Sequence, residues 1–290
     1  MDRFSERIGV VKPDRVLQVD SMGDALRNSL WNLFLDLYDD PNERYWRPVA
    51  KHIAMQFRKV PADELPFENY RLREWVKEHF FGLRWYQAYD LVEFVVHNHT
   101  MMTTIHRARG YPDTHRISTD QLITGLNRIL ERELSGFRFI QGALAPITDP
   151  AEVAEVEDAA KATQRVGLYG AQEHIRVAVG LLGKKPEPDY RNAIKEAISA
   201  VESVAKQFAG SDSATLDAAL KELSSKIELH GALKAGFSNL YGFTSDESGV
   251  RHAILEQPSV GFAEAKYMIV ACSAFVNYLL VKAEQAGLLK

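Results

Sequence analysis

The chain has 290 residues, 46% apolar and 26% charged, which excludes disordered, collagen-like and low-complexity classes. A net charge of −4 argues against a protein that coats nucleic acid non-specifically, while leaving room for local basic patches. The single cysteine, Cys272, can form neither an internal disulfide nor a zinc–thiolate cluster, and suits a reducing, cytoplasmic location.

Taken in order, the polar opening Met1–Arg7 lacks an apolar signal segment. Leu26, Leu30, Leu33, Phe34 and Leu37 then follow the 3.6-residue period behind a Ser21-x-x-Asp24 capping box, and Pro41 ends that helix. Trp46, Val49, Ile53 and Phe57 stripe a second helix, with Pro48 tolerated in its first turn. Two aromatic-rich helices are predicted over 66–81 and 84–102, followed by a loop at Gly110–Asp113. Ser118 or Thr119 caps a helix through Leu122, Leu126, Ile129 and Leu130 to Gly136.

Residues 137–148 break the helical period, and their alternation about Gln141-Gly142 predicts a small hairpin. Asp149-Pro150 is a helix start, N-cap then proline. Beyond it lie a helical stretch over 150–182, bent at Gly167 or Gly170, and a helix through Ile194, Ile198, Val201, Ala205 and Phe208 closed by Gly210. Short helices around 216–223 and 229–240 precede a last one from Phe262 to about Ala286. The apolar run Tyr267–Val281 falls short of the roughly 20 residues of a membrane span, so no membrane is expected. The expected fold is all-α: a helical domain over 1–136, a hairpin connector over 137–149, and an up-and-down bundle over 150–290.

The two parts use different cations. Residues 1–149 hold 16 of the 20 arginines but 4 of the 15 lysines. Guanidinium forks suit phosphate, so this half is the better polyanion reader, although the same arginines could serve its 21 acids as surface partners. Arg107, Arg109 and Arg116, with His106 and His115, could grip an RNA backbone or be scattered loop charges.

The chain has no phosphate-cradling GxxxxGK[ST], no dinucleotide GxGxxG, no GxSxG elbow and no HExxH. Asp90, Glu93 and His97 are the densest run of metal-ligand types. His97 and His99 point apart on a helix, however, and no metal or other cofactor is expected. In the C-terminal part, Arg251 and His252 follow a polar loop that begins with Asp246. A fixed cation beside a proton carrier suffices for metal-independent cleavage of RNA, whose 2′-OH is a built-in nucleophile. A loop salt bridge to Arg251, with His252 at a helix end, would use the same residues.

The run Leu240-Tyr241-Gly242-Phe243-Thr244-Ser245-Asp246…Gly249-Val250-Arg251-His252-Ala253, then Glu264-Ala265-Lys266…Ala271-Cys272-Ser273-Ala274-Phe275, resembles the HEPN end of AbiJ-type abortive-infection proteins. Tyr190-Arg191-Asn192-Ala193-Ile194…Ala197…Val201-Glu202 resembles a helix of the same bundle. Phe4-Ser5-Glu6-Arg7-Ile8-Gly9 with Asp24–Asn32 is similar to a helical N-terminal domain attached to them. The resemblance implies anti-phage defence by a dimeric, metal-independent endoribonuclease. Arg251 would stabilise the phosphate, His252 would act as general acid or base, and Asp246 would orient one of them. A phage-derived trigger or an antitoxin would be a partner.

HEPN nucleases space Arg and His by four to six residues, whereas here the two are adjacent. The spaced pairs Arg47…His52, Arg73…His79 and Arg109…His115 lie in the N-terminal part. The alternative is a non-catalytic adaptor whose loop binds a nucleotide or a partner. A last helix apolar off its main face, at Tyr267, Ile269, Val270, Ala274, Tyr278 and Leu280, predicts a homodimer through the C-terminal domain.

Overall fold

The computed structural model describes residues 4–8, 10, 16–38, 45–104, 117–184, 187–210, 215–245 and 260–289. The chain divides into two units, 1–142 and 143–290, and is all-α apart from one two-stranded hairpin among the described residues.

The first unit contains α1 (Phe4–Arg7), α2 (Asp24–Tyr38), α3 (Trp46–His52), α4 (Asn69–Gly82), α5 (Trp85–Thr104), α6 (Thr119–Arg132) and strand β1 (Arg138–Ile140). Its core is aromatic because the apolar stripes of α2, α3 and α4 carry rings. Trp31 stacks on Trp46 at 5.6 Å and on Phe80 at 6.2 Å, and Tyr38 meets Trp46 edge-on at 5.9 Å. Such pairs contribute about 0.5–1.5 kcal/mol each beyond their burial.

Two predicted boundaries move. Helix α2 starts at Asp24, and Gln18 Oε1, not the Ser21 box, accepts from the Gly23 amide at 2.6 Å. Helix α6 does have the Ser118 capping box, with Gln121 as its other half. It ends at Arg132, short of Gly136, because Leu134 turns left-handed at φ 56°.

Gln18 also ties the N-terminal segment to the end of α6. Its amide donates to Leu134 O at 2.8 Å, and its carbonyl accepts from Gly136 N at 3.0 Å. At Gly136 a Cβ would stand 2.7 Å from Val19 Cγ1 and 3.1 Å from Gln18 O. Gly136→Ala must therefore open this bridge, and should cost about 1–3 kcal/mol in a urea melt. Gly82→Ala, with nothing within 4 Å of its Cβ, is the control. Equal stability of the two variants would contradict the close approach.

Helix α3 runs directly into a π-helical turn, Ile53–Arg58, that ends at left-handed Lys59 (φ 57°). Near that turn His79 lies parallel to Trp75 at 5.8 Å and edge-on to Phe57 at 6.5 Å. Its Nε2 is the one buried side-chain polar atom without a partner among the described residues. Burial, reinforced by Arg58, pushes its pKa down to about 4 from an ordinary 6.5. The folded state thus binds this proton more weakly than the unfolded chain. Stability is full above about pH 6.5 and declines as pH falls toward 4. His79→Phe should flatten that acid limb in urea midpoints measured at pH 7 and pH 5. An unchanged limb would show that His79 does not set it.

The second unit contains β2 (Ala143–Ala145), α7 (Pro150–Arg165), α8 (Tyr169–Gly183), α9 (Tyr190–Ala209), α10 (Leu216–Leu223), α11 (Gly231–Ser245) and α12 (Phe262–Gln285). The hairpin turns at Gln141 and Gly142, both left-handed (φ 51° and 81°), as a two-residue turn between twisted strands requires. Asp149 Oδ1 accepts from the amides of Ala151 and Glu152, starting α7 as expected. The predicted bend is a break: Gly167 at φ 77° separates α7 from α8.

Helix α9 is the central element, packed against α8, α10 and α12. Alanines at 193, 197, 200, 205 and 209 alternate with Ile194, Ile198, Val201, Val204 and Phe208 on its buried face, which lets neighbouring helices approach closely. Gly210 ends it left-handed, and Lys226 Nζ donates to the Phe208 and Ala209 carbonyls. Over residues 231–242 of α11 only Phe237 is buried, stacked on Phe275 at 3.9 Å.

Helix α12 outruns its apolar stretch at both ends. Among the described residues it is the one helix long and apolar enough to cross a membrane, and half of its apolar window is buried. Of the off-face residues predicted to need cover, Ile269 and Leu280 are buried; Tyr267 and Ala274 are open, and Val270 and Tyr278 partly so.

Candidate functional site

The segment between α11 and α12 carries the strongest chemistry in the sequence. Asp246, Arg251 and His252 lie outside the described residues, and so do Arg107, Arg109 and Arg116. What the structure describes is the frame on both sides of the α11–α12 segment. Glu264 Oε2 accepts from the Gly261 amide at 2.9 Å and opens α12. The backbone amides of Glu264 and Gly261 hold this carboxyl below the usual range. Phe262 meets Tyr190 edge-on at 6.4 Å, so the first turns of α12 and α9 abut. Lys266 Nζ bonds both oxygens of Glu152 (2.7 and 2.9 Å), fixing α12 to α7. On the other side α11 is held by the Phe237–Phe275 stack and by Ser238 donating to Asp217 at 2.6 Å.

The second unit also holds a histidine–carboxylate pair that sequence reading did not single out. His174 Nδ1 on α8 lies 2.6 Å from Glu196 Oε2 on α9, with the side chains 38% and 22% exposed. The available signal was the short α8–α9 connection, which sets residues similarly distant from it opposite each other in an antiparallel pair. Elsewhere in the unit, α7 and α12 border a cleft of about 500 Å³ lined in part by Glu155, Asp158, Lys161, Arg165, Asn277 and Glu284. Asn277 Nδ2 donates to Glu155 Oε1 at 2.7 Å, so that wall is already hydrogen-bonded. The lining mixes both signs of charge and presents no convergent set for one ligand.

In the first unit His97 is exposed and bonds the Glu93 carbonyl at 2.9 Å. His99 is buried, with Tyr38 Oη at 3.4 Å and Ile117 O at 3.0 Å. Burial raises the Asp90 carboxyl above its ordinary range. Asp90, Glu93 and His97 do not converge: no group of three His, Cys, Asp or Glu that could hold a metal ion occurs among the described residues. His99 is a core histidine. The metal reading of this run has no geometric support.

The sequence matches the family described as AbiJ N-terminal domain 4 over residues 2–162, a span that covers the first unit and hairpin and ends within α7. No curated protein and no solved structure matches the chain.

Proposed function

The chain belongs to the AbiJ N-terminal domain 4 family, an abortive-infection family, and from that premise we propose that it is an anti-phage effector that cleaves RNA without a metal. Family membership is the observation that carries this reading. The helical bundle of the second unit, entered by α12 beside the first turn of α9, supports its HEPN-like part.

The chemistry follows from the residue types. His252 takes the 2′-OH proton, the 2′-oxygen attacks the adjacent phosphorus, and the P–O5′ bond breaks as the 5′-oxygen takes a proton from water, giving a 2′,3′-cyclic phosphate. Arg251 offsets the charge that develops on the phosphate oxygens. Asp246 orients one of the two, and Arg107, Arg109 and Arg116 hold the RNA backbone. In this reading residues 1–136 sense a phage-derived trigger or position substrate, 137–149 connect, and 150–290 cleave in the cytoplasm.

The protein acts as a homodimer through α12. Ala263, Tyr267, Val270, Ala274, Tyr278 and Val281, none of them charged, share one face, on which Tyr267 is 55% and Val281 51% exposed. The test incubates the purified full chain with total RNA in EDTA. Fragments ending in cyclic phosphate are expected; intact RNA after addition of the phage trigger would reject the nuclease and leave the adaptor role.

A further inference from the structure

The helix formed by α3 and its π-helical continuation has two unlike faces. Trp46, Val49, Ala50, Ile53 and Ala54 are buried, whereas Arg47, Lys51, Met55, Gln56, Arg58 and Lys59 are exposed. No acidic residue occurs from Tyr45 to Ala62, so four cations share the outer side of this segment, with acids only at its ends, Glu43 and Asp63, each four positions from the terminal cation. Arg58 and Lys59 suit the helix C-terminus, where cations are favoured. Arg47 does not: it stands in the first turn, where the helix dipole disfavours positive charge.

Beyond Arg47 lies Phe67, at 87% the most exposed large apolar side chain among the described residues. The Arg47 guanidinium donates to the Phe67 carbonyl and lies 5.6 Å from its ring centroid. In the first turn of α4, Tyr70 is exposed, and its hydroxyl accepts from Arg71 Nε at 3.0 Å. Arg71 is partly offset by Glu68 at 3.7 Å. Arg47, Phe67, Glu68 and Asn69 line an open hollow of about 540 Å³.

A row of cations roughly 17 Å long that ends at an exposed ring with a guanidinium beside it matches the two needs of unpaired nucleic acid. Phosphates take the cations, and a base takes the ring face. We infer that the outer face of residues 47–59, with Phe67, is a track for single-stranded RNA. The choice of RNA over DNA rests on the proposed nuclease reading; the track itself rests on the geometry.

The test uses the full chain carrying Arg251→Ala and His252→Ala, in EDTA, with a short fluorescein-labelled oligouridine read by anisotropy over a salt series. Replacing Arg47, Lys51, Arg58 and Lys59 by Gln should weaken binding and reduce the salt slope by about 0.7 for each lost phosphate contact. Phe67→Ala should weaken binding about tenfold with the slope unchanged. Unaltered affinity in both variants overturns the track, as does binding of phosphatidylserine vesicles in place of the oligonucleotide. Tighter binding of oligodeoxythymidine overturns the RNA assignment. Cleavage by the unmodified chain alongside unaltered binding would sink the track alone. Track-dependent binding with no cleavage by the unmodified chain would sink the nuclease alone.

Discussion

Arg251→Ala and His252→Ala are each expected to lower RNA cleavage by the full chain at least about a hundredfold, and to abolish its toxicity in cells. A positioned acid or base contributes roughly 10²–10⁴-fold, and a fixed cation aimed at the developing phosphate charge is of similar worth. Because the two act on one transition state, the double variant should be little worse than either single one. Far-UV circular dichroism should be unchanged. Full cleavage by both single variants would remove the site from this segment. Loss in His252→Ala alone would leave Arg251 without its assigned part.

The second large effect concerns the open face of α12. Ala263, Tyr267, Val270, Ala274, Tyr278 and Val281 span 19 residues, about 27 Å of helix, and none of the six is charged, although Lys282 Nζ lies 5.9 Å from the Tyr278 ring near one end. Small alanines between tyrosines let a second helix approach closely, and a self-complementary patch closes as a two-fold dimer. Ala274→Arg places an unpaired cation at the centre of that patch, which a desolvated interface cannot tolerate. Sedimentation of the full chain at micromolar concentration should show a dimer, and the variant a monomer. A wild-type monomer, or an Ala274→Arg dimer, would assign the face to another occupant.

Much of the fold was legible where a local chemical requirement has few solutions. Asp149-Pro150, the cap expected at Ser118 or Thr119, Gln141-Gly142 and Gly210 each satisfy a backbone need within a few residues, and each lies at a position the sequence points to, Ser118 being the cap. The misses come from competition over distance. Gln18 takes the Gly23 amide from outside the capping-box pattern, and the π-helical turn at 53–58 has no periodic signature that separates it from α-helix. The apolar excess of α12 was legible, but which part the bundle itself covers depended on its partners: Ile269 and Leu280 fall inside, Tyr267 outside. The His174–Glu196 pair depended on the register of two helices, which neither stripe specifies alone. The basic outer face of 47–59 was masked in the sequence by an arginine excess spread over the whole first half.

Cys272 supplies the molecule with its own reporter. It is the only thiol in the chain, it lies on the buried side of α12, and burial raises its pKa far above the ordinary range. A thiolate-seeking reagent therefore finds nothing to attack while the C-terminal bundle is closed. Labelling kinetics under native conditions count the openings of that bundle alone, because residues 1–149 contribute no sulfhydryl to the signal. An activating stimulus that loosens the bundle would register as faster alkylation, and one that clamps it as protection, with no engineered probe.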